Sequence, residues 1–467
     1  MKKKKLVSLI LAGTLAISAM LTGCGAEGGG ETGSGSEAST VQEEQSSEAG
    51  GAESEAEQSA DKGSGEKITI TYWHIFPEGD GFKPVHDELI KRFNESQDEI
   101  YVEDLGISFF DFLSKMDTAI PAGTGPDVAF MDLSESLRRA EAGVLVDLTP
   151  YIERDGFDMG QFYDWTEEIG TYNDHWYGIP FSGGGRFLVY NKDMFTEANL
   201  DPEQPPKTLD ELAEYADKLT KIGEDGSIEV LGFHPTLGNV SFRDYVLNRG
   251  SVFFEEDSTP VINSEANLET LQWYVDMTNK YGAKQVQSLQ AASSTTGIDP
   301  FLAGYVAMEV NVVDFYKKLS ESDINYGVAL LPGLKEGENV TQGGSFDLEI
   351  YDHGDQEKAD AAWEFVKFMT SVESQQYWAS ENKWPSMNQT AMDSCTEFNE
   401  DPVWQVILES LRQSKATKFE PTAPNWWGLL YPELEAAQLE QKTPKEALDA
   451  AQEAIETAIQ NNAMLSN

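Results

Sequence analysis

Cysteine is nearly absent from this chain of 467 residues, which has only Cys24 and Cys395. Two thiols cannot build a disulfide scaffold. No Cys/His spacing resembles a zinc site and the five histidines are widely scattered, so no metal or other cofactor is expected. Positive charge is scarce as well: 33 Lys and Arg stand against 81 Asp and Glu, a formal net charge of -48. Phosphate backbones are held by clustered Lys and Arg with release of counterions, so a nucleic acid partner is excluded as the default. Catalytic signatures are also missing: there is no G-x-S-x-G, no H-E-x-x-H, no P-loop and no G-x-G-x-x-G after a strand. His74, His86, His175, His234 and His353 have no acid–base partner by spacing. Aromatic mass, by contrast, is ample. With 10 Trp, 17 Tyr and 23 Phe the chain can fill one large core or two medium ones.

The N-terminus is a processing segment. Lys2 to Lys5 form a basic start, and Leu6 to Met20 is apolar but short for a bilayer, so residues 1–23 read as a signal peptide. Leu21-Thr22-Gly23-Cys24 looks like a bacterial lipobox, which makes Cys24 the expected lipidation site and the membrane an expected partner through that anchor. Each buried CH2 adds about 0.8 kcal/mol, and more than one acyl chain is needed for stable anchoring. Residues 24–66 follow as a tether of Gly, Ser, Ala, Glu and Gln without an aromatic. Such a composition cannot offset chain entropy, and a flexible coil of this length reaches roughly 35 Å. The tether carries -10 and the signal peptide +4, so -42 belongs to residues 67–467. Cys395 is expected to be a small core residue.

From Lys67 short apolar runs alternate with amphipathic stretches, the pattern of an α/β protein. Strands are expected at 68–72, 100–102 and 127–131, with helices between them ending near Asn94 and Ile120. Crossovers of this kind build a parallel sheet whose ligands sit outside the carboxyl ends of the strands. A second series has strands near 176–179, 186–190 and 230–233, helices over 209–219 and 264–281, and strands near 306–310, 326–329 and 348–351. The chain beyond 356 is mostly helical and closes with a helix over 444–464. Some 400 residues exceed one ordinary core, so two domains are expected.

Several segments in order carry a family resemblance. They include Ile70-Thr71-Tyr72-Trp73-His74, Arg92-Phe93-Asn94-Glu95-Ser96, Ala122-Gly123-Thr124-Gly125-Pro126-Asp127, Tyr177-Gly178-Ile179-Pro180 and Tyr190-Asn191-Lys192-Asp193. Further on come Phe301-Leu302-Ala303-Gly304, Ala362-Trp363-Glu364-Phe365 and Pro444-Lys445-Glu446-Ala447-Leu448. From Lys67 to about Ile459 the chain resembles the family 1 extracellular solute-binding proteins of ABC importers, the group of maltose-, oligosaccharide- and glycerol-phosphate-binding proteins. The resemblance implies a two-lobed periplasmic-binding-protein-like α/β fold of type II with the ligand in the interlobe cleft. The first lobe would be 67–182 with 346–390, and the second 183–345 with 391–467. It also implies a monomer that captures a mono- or oligosaccharide and delivers it to ABC transporter permease subunits by lobe closure.

Sugars present apolar faces and a rim of hydroxyls, so their sites combine aromatic platforms with planar polar groups. In the first lobe the candidates are Trp73 and His74 after the first strand, Phe109 beside Ser108 and Phe110 after the second, and Asp132 after the third. Arg186 follows three glycines at a crossover, where a maltose-type protein usually has an acidic or bulky residue. Further candidates are Asn239, Phe242, Asn311, Asp314 and Ser345, then Trp384 before Pro385, and Trp426 and Trp427 before the penultimate helix. Asp314 stands where the family frequently has an aromatic platform, and Trp427 matches the aromatic on which maltose-type proteins stack a sugar ring. Two rival functions are a secreted carbohydrate-active enzyme of the glycosidase kind, which needs two carboxylates roughly 5 to 9 Å apart, and a surface lipoprotein without a transport role.

Overall fold

The computed structural model describes residues 67–416, 420 and 422–465. The expected signal peptide, Cys24 and the tether lie outside the described residues. Alternation makes the first strand: along β1 (Ile68–His74) Ile70 and Tyr72 turn inward while Thr69 faces solvent. In α1 (Lys83–Ser96) a proline in the first turn suits the unpaired N–H groups there, and His86, Leu89, Ile90 and Phe93 form the buried stripe. Then come β2 (Ile100–Gly106), α2 (Phe109–Ala119) and β3 (Val128–Asp132). Both β2 and β3 run parallel to β1, as the crossover rule requires.

Gly185 alone separates β4 (Gly178–Gly184) from β5 (Arg186–Asn191). In α3 (Leu209–Leu219) the Thr208 hydroxyl caps by accepting from the Glu211 N–H at 3.2 Å. Ser241 and Asp244 form a capping box on α4 (Phe242–Asn248). The chain continues through α5 (Glu265–Asn279), β6 (Met308–Val312), α6 (Val313–Ser320), β7 (Tyr326–Leu330) and β8 (Gly344–Ile350). It ends in α7 (Gln356–Met369), α8 (Pro402–Arg412), α9 (Trp426–Gln438) and α10 (Pro444–Leu465).

Two sheets organise these elements. The larger has the order β2-β1-β3-β8-β4, with β8 antiparallel to both β3 and β4; the smaller has the order β6-β5-β7 and is antiparallel throughout. The chain passes from the larger sheet to the smaller at Gly185 and returns after β7 to β8. Beside these joints, Thr341–Gln342 pairs in parallel with Ser414–Lys415. One core cluster starts at Ile70 and Tyr72 under the larger sheet and continues through Phe181, Phe187 and Val313 to Trp404 and Leu411. Two others fill the smaller module, around Tyr245, Leu271 and Leu448 and around Leu188, Leu212 and Met308.

The strand expected at 230–233 is not formed as such. Ile228–Val230 pairs with Lys221–Ile222, and beyond it only an isolated bridge joins Leu231 to Val306. Gly232 explains the break. Its N–H donates to the Thr220 hydroxyl at 3.0 Å, and its missing side chain lets the backbone lie against Ala216 of α3, where a Cβ would collide. Cys395 is half-buried and unpaired, so it is less enclosed than expected.

Candidate functional site

The chemistry gathers where strand ends meet the crossovers. Arg186, the first residue of β5, ties this region together: its Nε donates to the Asn239 carbonyl at 3.1 Å and lies 2.9 Å from an Asp244 carboxylate oxygen. Its Nη1 donates to the Gln342 carbonyl at 2.9 Å. Arg186, a candidate ligand contact, thus directs its Nε and one Nη1 N–H to the framework.

Several other expected contacts are core residues. His74 is wholly buried: its Nε2 lies 3.2 Å from Asp104 and its ring 4.5 Å from that of His86. Trp384 is also enclosed, with Phe82, Phe346 and Trp378 around it. Ser345 is buried on β8 and its hydroxyl donates to the Phe346 carbonyl at 3.0 Å. Phe242 and Trp426 pack into the second module's core, Phe242 against Tyr274 and Trp426 against Phe253 and Phe254. Trp426 also lines a cavity of about 770 Å³ with Tyr163, Trp165 and Arg412, apart from the other candidates. Strand-end position alone does not tell which face a side chain takes: His74 and Ser345 take the buried one, while Phe242 and Trp426, at helix starts, are both packed in the core and part of a cavity wall.

The remaining first-lobe candidates stay accessible. Trp73 is half-buried with the Lys115 ammonium 4.6 Å from its ring centre. Phe109 and Phe110 open α2 in edge-to-face contact, Phe110 80% exposed. Asp132 closes β3 half-buried, its carbonyl accepting from Arg139 Nη2 at 3.2 Å.

Asn239, Asn311 and Asp314 come together, lining one cavity of about 500 Å³ with Thr236, Asp299 and Lys318. A groove of about 380 Å³ shares Thr236 and Gln290 with that cavity and is lined by His234, Phe242, Tyr274 and Trp427. Trp427 is half-buried, and the Arg243 guanidinium lies 4.6 Å from its ring centre. Arg243 was missed by sequence reasoning, as were Asp299 and Lys318; no spacing marks them. Burial lowers the Arg243 pKa, with the Asp244 carboxylate acting the other way.

Below the cavity, burial first and the Asp299 carboxyl second push Glu309 up to about 8. Burial likewise raises Asp299 and Asp314. The site therefore combines an aromatic-walled groove with a polar cavity rich in carboxyl oxygens, and Thr236 and Gln290 line both.

A family model for bacterial extracellular solute-binding proteins matches residues 79–376. The sn-glycerol-3-phosphate-binding periplasmic protein UgpB of Escherichia coli O6:K15:H31 is 26% identical over 423 residues, spanning 82% of this chain and 91% of that protein. The maltotriose-binding protein of Pyrococcus abyssi is 28% identical over 266 residues, 56% of this chain and 54% of that one. Among solved structures, CpMnBP1 with mannobiose bound superposes with a TM-score of 0.71 at 24% identity, covering 83% of this chain and 99% of that one. An ABC transporter solute-binding protein from Thermotoga lettingae bound with alpha-D-tagatose gives 0.70 at 24% identity, with 84% and 100% covered. Those likenesses establish the fold, two α/β lobes of the type II solute-binding kind.

Proposed function

The chain belongs to the bacterial extracellular solute-binding protein family, and on that premise we propose that it captures a mono- or oligosaccharide and delivers it unchanged to ABC transporter permease subunits by lobe closure. The observation that carries this reading is the pairing of the Trp427 groove with the polar cavity of Asn239 and Asp314. An apolar wall beside dense hydrogen-bonding groups suits a sugar ring, which has both kinds of surface. Relatives named for maltotriose, mannobiose, tagatose and glycerol phosphate support a polyhydroxylated ligand.

The lobes are taken as 67–182 with 346–390 and 183–345 with 391–467, in keeping with the passage between sheets at Gly185 and the return to β8. Ligand shifts the open and closed populations only as far as it binds the closed form better. We further propose a monomer held at the extracytoplasmic face through acylated Cys24, with residues 24–66 as the tether and 1–23 removed. Among the described residues no helix is long and apolar enough to cross a membrane.

A thermal-shift screen of mono- and oligosaccharides, with mass spectrometry of each ligand before and after incubation, tests the proposal. A raised melting temperature with intact ligand is expected. Cleaved ligand would replace it with the glycosidase reading, and a screen without any shift would favour a lipoprotein without a transport role.

A further inference from the structure

The cavity of about 770 Å³ beside Trp426 shares no lining residue with the Trp427 groove or the polar cavity. Trp426 and Trp427 open α9 as neighbours, and successive helical residues point about 100° apart. Their rings accordingly stand at 83° to each other, and each serves a different hole. Two groups of rings line this cavity. Tyr163 and Trp165 come from the segment before β4, and Phe253 and Phe254 join Trp426 from the second module. Both groups are fixed by the framework. Trp165 Nε1 donates to the Leu411 carbonyl at 3.0 Å, and its ring lies against Gly343, where a Cβ would come within 2.9 Å of it. The Trp426 ring centre lies 5.0 Å from that of Phe253 and 5.3 Å from that of Phe254. Binding against rings already held in place costs little ordering entropy.

Polar groups without partners surround these rings. Tyr163 is buried, and its hydroxyl has no hydrogen-bond partner. Asp164 and Glu168 accompany the first group of rings and Glu255 and Glu256 the second, while Lys415 lines the cavity from the strand paired with Thr341–Gln342. Among the described residues these five charged side chains form no ion pair and no hydrogen bond. Arg412 also lines the cavity, but its Nη2 already donates to Asp393 at 2.7 Å. Free groups of both signs beside fixed rings narrow the ligand class. An ammonium only donates and a carboxylate only accepts, so each leaves one sign unanswered; hydroxyls donate to the carboxylates and accept from Lys415. Bonds of that charge-assisted kind are about twice as strong as neutral ones. The C–H faces of a sugar ring would cover the aromatic area, and the volume falls within the roughly 300–1,000 Å³ of small-molecule sites.

We infer that this cavity is a second saccharide site, separate from the Trp427 groove, in which a neutral sugar packs against Trp165 and Phe254 while its hydroxyls meet Glu168 and Lys415. The chain then holds two saccharides, one beside each of its adjacent tryptophans. This goes beyond the capture site proposed above and does not depend on where that site lies.

Titration calorimetry with glucose, cellobiose, mannobiose and maltotriose tests this on the full chain, with choline as the cationic control. At least one of the sugars should fit two sites on the wild type and still bind Trp427→Ala. Glu168→Gln and Lys415→Met, both at exposed positions, should each weaken that residual binding by at least tenfold at an unchanged melting temperature. Phe254→Ala should weaken it as well. Sugar binding abolished by Trp427→Ala alone, or residual binding unmoved by Glu168→Gln and Lys415→Met, overturns the inference and leaves capture at the groove intact. A single site untouched by Trp427→Ala but lost in the cavity variants supports sugar binding in the cavity and removes the groove instead. Choline binding to Trp427→Ala more tightly than any of the sugars overturns the ligand class. If no sugar binds the wild type, this inference and the saccharide reading fall together.

Discussion

Replacing Glu309 by Gln should change how stability depends on pH. The folded protein holds the Glu309 carboxyl protonated up to about 8, whereas the unfolded chain ionises near the ordinary 4.5. Between those values the unfolded state binds fewer protons than the native one, so stability falls as pH rises from about 4.5 to 8 and levels off above. One pKa unit corresponds to about 1.4 kcal/mol, and because the titration is shared with Asp299 only part of the shift belongs to Glu309. A loss on the order of 2–4 kcal/mol over the window follows. Gln cannot ionise, yet its Oε1 can keep the bond from Asn311 Nδ2. The two proteins should be equally stable near pH 4.5, and the variant more stable by on the order of 2–4 kcal/mol at pH 8. Urea unfolding followed by Trp fluorescence at half-unit pH steps measures this, provided the slope against urea stays constant. Parallel stability curves for the two proteins from pH 5 to 8 would refute the assignment of a buried proton to Glu309.

Trp427→Ala should weaken saccharide binding by at least tenfold, about 1.4 kcal/mol, with little loss of fold, since Trp427 is only half-buried; calorimetry with the tightest sugar found by thermal shift decides it. Trp73→Ala should weaken the same ligand too, whereas His74→Phe should leave affinity within twofold and register in stability alone, because His74 is enclosed. Arg139 donates to both Glu349 carboxylate oxygens, at 2.8 and 3.0 Å, in a buried pair beneath β8. Arg139→Met alone should cost about 3–5 kcal/mol by stranding a buried carboxylate, and the double variant with Glu349→Leu should recover most of it in urea unfolding.

Much of the architecture is legible because local patterns decide it. The stripe of Leu209, Leu212, Ala216 and Leu219 behind Thr208 delimits its helix to the residue, and alternation at Ile70 and Tyr72 fixes the first strand. Gly232 defeats the same approach, because its contact with Ala216 is tertiary. The site is legible only in part. Asn239, Asn311 and Asp314 do share one cavity, but His74 and Trp384 turn into a core whose other members, His86 and Trp378, lie outside the segments in which they were found. Asp299 meets Glu309 through a loop fold that no motif announces, and Arg243 reaches Trp427 across more than 180 residues of chain.

The core that runs without interruption from Ile70 to Leu411 limits how this molecule can be taken apart. A fragment cut at Gly185 would strip Phe187, Val313, Phe315 and Trp404 of their neighbours and present a wet oily face, so neither lobe should survive expression alone. The two lobes should melt in one calorimetric peak. Any relative movement of the lobes on binding would have to slide side chains past one another in this shared packed surface near the crossovers.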